Sequence, residues 1–179
     1  MKKMTVAGKI ITKILEVLHW ACAGLMALLM LLSYGKPGTW EHTSAPTFDY
    51  TVYGFSVDLA DSAGGTNPTA FYLFLITAAI LCVLMAMIFH DIYSILKKAE
   101  ERTPFHEDNI RKLKEIGYLS IAVPIVGLVM STIMRLALGP DAVEIGGDID
   151  GFVMGIIVLC LTQYFAYGAQ LEKDVDGLV

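Results

Sequence analysis

Six side chains able to move protons, bind metals or hydrogen-bond fall inside otherwise apolar stretches of this 179-residue chain: Glu16, His19, His90, Asp91, Gln163 and Tyr167. Ionisable groups in hydrocarbon are costly, and function is the usual reason to keep them. Glu16 and His19 stand one helical turn apart and so share a face. His90 and Asp91 sit near the end of the next apolar run, and Gln163 and Tyr167 near the end of the last. If successive runs are antiparallel helices, all six lie at similar depth as an intramembrane polar cluster. Two histidines at matched depth could ligate haem or a metal, with the carboxylates orienting their rings. They could equally form a proton-responsive group, since imidazole titrates near neutrality. The plainer reading is that these groups pair or snorkel a turn or two from the surface. No metal-ligand spacing as specific as H-E-x-x-H is present, so no cofactor is expected. Haem or a metal at His19 and His90 is the alternative.

A second set of charges lies at the ends of the apolar runs. Gly127, Ser131 and Arg135 recur every four residues, which suggests a close-packed face ending in a charge. Arg135 is expected to pair with Asp141 or Glu144, or with acids of the outer loop. The Gly147–Gly151 stretch lacks the later glutamate of a calcium loop, and its acids fit capping of the following helix. Cys22, Cys82 and Cys160 all fall within apolar runs, where buried packing is the expected role.

The elements that must position these groups follow from composition. Hydrophobic residues make up 55% of the chain and charged residues 17%, against about a quarter charged in soluble domains. Uncharged runs of 19, 29, 19 and 21 residues follow Glu16, Asp61, Glu115 and Asp150. About 20 apolar residues span a bilayer as a helix. The sequence therefore predicts four spans, over about 11–34, 70–96, 115–138 and 151–171. A soluble enzyme, a direct nucleic-acid binder and a secreted disulfide domain are excluded. No phosphate-binding loop or nucleophile elbow is present, so a non-enzymatic protein is expected.

Eleven of the thirteen basic residues flank the termini or lie between spans two and three, leaving Lys36 and Arg135 for the other side. By the positive-inside rule both termini face the cytoplasm, as in a multi-pass membrane protein. The opposite side carries eight acids against those two bases. Its loop, 35–69, has near-alternating apolar residues from Thr47 to Leu59, interrupted by Gly54. That pattern predicts a short hairpin in a small cap over the outer ends of the spans. Between spans two and three, Thr103 is placed to cap a helix and Pro104 to open it. The amphipathic segment 103–114 that follows is expected to run on into span three, which Pro124 should bend. The fold class expected is an all-α four-transmembrane-helix bundle, a single domain over 1–179.

Two segments resemble a known family. Thr103-Pro104-Phe105-His106-Glu107-Asp108-Asn109-Ile110-Arg111-Lys112-Leu113-Lys114-Glu115-Ile116-Gly117 is similar to a "PF-x-x-E-N-x-x-x-L-x-x-I-G" start of the third span. Tyr167-Gly168-Ala169-Gln170-Leu171, with the acidic tail to Val179, is similar to the same family's ending. The family is the bacterial membrane proteins catalogued as domain of unknown function 2975. This chain departs from it in having Asp108 before Asn109 and Gly177-Leu178 before the last valine. The family has no established activity, and its members are often encoded beside a small helix-turn-helix repressor. The resemblance thus implies a membrane sensor that holds or releases a cytoplasmic regulator. Its docking surface would be Pro104, Phe105, Asn109, Arg111, Lys112 and Lys114, with the tail, otherwise expected to be disordered, as an accessory peptide. Besides the lipid bilayer and this regulator, a second copy of the chain is a partner to consider. Two other functions stay open: a redox or haem-binding protein using His19 and His90, and a subunit of a transporter or channel.

Overall fold

In the computed structural model, residues 2–34, 50–53, 55–59, 66–98, 105–139 and 149–176 are described. Four helices account for most of them: α1 (Lys2–Tyr34), α2 (Pro68–Lys98), α3 (Glu107–Leu138) and α4 (Ile149–Asp176). All four are long and apolar enough to cross a membrane, and the chain is a multi-pass membrane protein. At 1.5 Å per residue, 31 to 33 residues make α1, α2 and α3 about 46–50 Å long. Centred on a hydrocarbon core of about 30 Å, α2 and α3 would overhang it by about 8–10 Å at either end.

The helices pack in chain order, α1 on α2, α2 on α3 and α3 on α4. α2 is the most buried, through Ala70, Phe74, Ala78, Leu81 and Ala86; its alanines let two neighbours approach one helix. α1 and α4, the flanking helices, turn large apolar side chains such as Leu31, Leu32, Ile156 and Tyr164 outward, as lipid contact requires.

Local chemistry accounts for where the helices begin. The Asn67 side chain accepts from the backbone N–H groups of Thr69 and Ala70 at 3.0 and 3.3 Å, and Pro68 takes the first helical position, where no N–H is needed. α3 starts later than the sequence suggests. Its cap is His106, whose Nδ1 accepts from the Asp108 N–H at 3.2 Å. Thr103 and Pro104 lie outside the described residues. From Glu107 the amphipathic segment is continuous with the apolar part of α3, as expected. At the other end of the chain, α4 stays helical to Asp176, which corrects the expectation of a disordered tail for residues 172–176.

Pro124 sits inside α3 and removes the donor that would meet the Ser120 carbonyl four residues back. That carbonyl lies 3.2 Å from where a Cβ on Gly151 of α4 would stand. A Cβ on Gly155 would meet Ile121 Cγ1 at 2.5 Å and the Gly117 carbonyl at 2.9 Å. α3 and α4 are thus in backbone contact along Gly117, Gly151 and Gly155. Of the face expected at Gly127, Ser131 and Arg135, Ser131 is fully buried, whereas a Cβ on Gly127 would meet nothing within 4 Å.

Between α1 and α2 the chain forms an antiparallel hairpin, β1 (Tyr50–Val52) with β2 (Phe55–Val57). The register pairs Val52 with Phe55. Tyr53 adopts φ of 49°, the left-handed value a two-residue turn asks of its first central position. The hairpin is not a cap over the helix ends. Phe55, Val57 and Leu59 are 1%, 1% and 4% exposed and join Phe74, Leu81, Ile116 and Met134 in one core. Phe55 stacks on Phe74, β2 touches α3, and Tyr53 meets His19. His19 is 15 residues from the loop end of α1, or about 22 Å along its axis. The tip therefore stands near the middle of the helices. Non-helical backbone at that depth is stable only when enclosed by protein, and the burial of Phe55, Val57 and Leu59 meets that condition.

Candidate functional site

The polar groups within the helices do not form one cluster. They form separate pairs, the first of them at the hairpin tip. His19 is buried on α1, and its Nδ1 lies 2.7 Å from the Leu15 carbonyl. A carbonyl can only accept, so Nδ1 carries the proton and Nε2 is left as an acceptor. The Tyr53 hydroxyl donates to that Nε2, and the two rings stack. Phe89 of α2 closes the other side of the imidazole. Cys22 and Cys82 lie within electrostatic range of the Tyr53 phenol.

One turn from His19, the buried Glu16 carboxylate accepts from Lys13 Nζ through both oxygens at 3.0 Å. Its Oε1 also accepts from His90 Nδ1 of α2 at 3.1 Å. Lys13 rests over the Tyr93 ring, 5.0 Å from its centroid. Next to His90, Asp91 turns away toward α3 and accepts from Lys112 Nζ at 2.8 Å, with both side chains mostly buried. Lys98 and Arg111 approach Asp108 at 3.8 and 3.5 Å, and Lys173 of α4 donates to Glu107 at 2.7 Å.

The six residues expected at one depth therefore separate. Glu16 and His90 are joined directly. His19 turns to the hairpin because three residues along a helix is 300°, which carries His19 and Glu16 to opposite flanks of the line facing α2. Asp91 belongs to the α2–α3 seam. Gln163 and Tyr167 are exposed on α4, which packs on α3 and leaves them away from the others. The geometry does not support a shared haem or metal between His19 and His90, because both His19 nitrogens are taken by Leu15 and Tyr53. Among the described residues no group of three or more metal-ligating side chains occurs.

The expected docking residues also divide. Asn109 is buried and Lys112 is committed to Asp91. Phe105 packs on Phe165 and against Gly168, where a Cβ would meet its ring at 2.6 Å. Arg111 and Lys114 are exposed, the latter over the Tyr118 ring. Pro104 lies outside the described residues, as do Asp141 and Glu144, the expected partners of Arg135. Arg135 itself is half-buried near the end of α3. Of the cysteines, Cys82 is buried, Cys22 half-buried and Cys160 exposed on α4, so buried packing does not describe all three. Sequence reasoning missed Tyr53 as a polar contact. Its signal was a Tyr-Gly pair between alternating apolar residues.

Residues 39–179 match the family model described as "Protein of unknown function (DUF2975)", and the chain belongs to that family. No curated protein and no solved structure matches it.

Proposed function

We propose that this chain, as a member of that family, is a non-enzymatic membrane sensor that controls a cytoplasmic protein. The observation that carries the reading is a set of polar pairs at successive positions: Tyr53 on His19, His90 on Glu16 one turn along α1, and Lys112 of α3 on Asp91, the neighbour of His90. It connects a hairpin seated among three helices to the charged first turns of α3. In this reading the termini and the start of α3 face the cytoplasm of a bacterial inner membrane, in accord with the distribution of lysine and arginine. The hairpin then belongs to the extracytoplasmic loop. A stimulus that draws it from its seat would remove Tyr53 from His19 and Phe55 and Val57 from the core. α1, α2 and α3 would have to close on the vacated space, because protein interiors do not tolerate voids. That movement would shift the Asp91–Lys112 pair and, with it, the surface carrying Arg111 and Lys114.

The test is in-cell crosslinking of the tagged full chain followed by purification and mass spectrometry. An Arg111→Glu, Lys114→Glu variant serves as control, since both side chains are exposed and their replacement should leave the fold intact. One soluble protein recovered with the wild type and lost with the variant is the expected result. Recovery of other integral membrane subunits instead would move the chain to a transport assembly, and recovery of the chain alone would remove the partner reading.

A further inference from the structure

A cavity of about 430 Å³ opens between α1, α2 and α3, lined by Glu16, Trp20, Met87, His90, Asp91 and Glu115. The contacts described above leave it with a particular chemistry. Glu16 is balanced by Lys13 and Asp91 by Lys112. Glu115 is exposed, and among the described residues no cation or donor reaches it. In its neutral form His90 gives its Nδ1–H to Glu16 and keeps Nε2 as an acceptor, and among the described residues no group bonds that nitrogen. The wall thus presents unused acceptors, one uncompensated negative charge and the indole of Trp20. A compact cation with several N–H groups complements all three: donors for Glu115 and His90, and charge for the indole face.

The depth narrows the choice. His90 and Glu115 are each eight residues from the terminal-side ends of α2 and α3, and Glu16, bonded to His90, lies beside them on α1, whose N-terminal end extends further. At 1.5 Å per residue, eight residues place them about 12 Å from the ends of α2 and α3. With an overhang of about 8–10 Å, the cavity sits just inside the hydrocarbon boundary, within reach of a lipid headgroup. Trp20 and Met87 supply the apolar wall that a headgroup with its glycerol backbone would need. We propose that this cavity binds a primary ammonium group, carried by an aminophospholipid or by a small free amine. The inference stands apart from the regulatory reading, since a chain with no protein partner would bind the same group.

The chain has two tryptophans, so a full-length Trp40→Phe variant in detergent micelles makes Trp20 the sole reporter. It is titrated with short-chain phosphatidylethanolamine, short-chain phosphatidylcholine and ethanolamine. Phosphatidylcholine has the same charge but no N–H. A saturable change in Trp20 emission is expected with the primary amine, at a concentration at least tenfold below that for phosphatidylcholine. Glu115→Gln, an exposed and nearly isosteric change, should weaken it by about tenfold. Saturation by phosphatidylethanolamine but not by ethanolamine identifies a lipid, and equal saturation by ethanolamine identifies a free amine. Equal response to both phospholipids, or an unchanged Glu115→Gln titration, overturns the proposal.

Discussion

Replacing Tyr53 by phenylalanine keeps the ring and its stacking on His19 but deletes the hydroxyl that donates to His19 Nε2. His19 is 8% exposed, so water does not readily replace the lost donor. An unsatisfied buried acceptor costs about 1–3 kcal/mol. Because the hairpin tip is otherwise held by ring contacts and the burial of Phe55 and Val57, the cost falls on its seated state. A factor of ten per 1.4 kcal/mol converts this to an increase of about 5- to 150-fold in the unseated population. Cys82 reports it: the thiol is buried in the middle of α2, near Tyr53. In a Cys22→Ala, Cys160→Ala background, its labelling by a membrane-permeant maleimide follows the open population when reclosing is faster than reaction. Tyr53→Phe should speed labelling by at least fivefold. Adding His19→Leu removes the orphaned acceptor, so the double variant should show less than the sum of the two single effects. A Tyr53→Phe rate within twofold of the parent would refute the reasoning, because the hydroxyl would then contribute nothing to seating.

Other outcomes follow from the packing. Gly155→Ala places a methyl 2.5 Å from Ile121 and 2.9 Å from the Gly117 carbonyl, and should destabilise the chain by about 1–3 kcal/mol in detergent unfolding. Gly127→Ala meets nothing within 4 Å and should be neutral, or stabilising by up to about 1 kcal/mol through helix propensity. Equal effects of the two changes would show that α3 and α4 do not cross as described. Asp91→Asn leaves Lys112 without its charge partner in a mostly buried seam and should cost about 3 kcal/mol. Pairing Asp91→Leu with Lys112→Met should recover most of that loss; a double variant as unstable as Asp91→Asn would argue against the pair.

The four spans were legible because hydrophobic length alone decides them, and the continuation of segment 103–114 into α3 because its amphipathic period runs unbroken into Ile116. The hairpin strands were legible from alternation, but their depth was not. Phe55, Val57 and Leu59 mark one apolar face, yet nothing local says whether helix ends or helix middles cover it. The same limit separated Gln163 and Tyr167 from Glu16: matched depth places residues on a level, while the order in which helices pack decides which of them meet. Phase explains the remaining difference. Glu16 and His19 share a broad face of α1, but the 60° between them is enough to send one to α2 and the other to the hairpin. The cap of α3 is His106, whose imidazole does what a serine or aspartate usually does, and residue preference alone does not single it out.

The central claim is that the seat of the hairpin and the first turns of α3 are coupled. Hydrogen exchange of the full chain in nanodiscs, compared between wild type and Tyr53→Phe, tests it directly. The account predicts faster exchange both in the hairpin and at 107–114, with α4 beyond its contact with α3 unchanged. Faster exchange confined to the hairpin, with 107–114 as in the wild type, would contradict it.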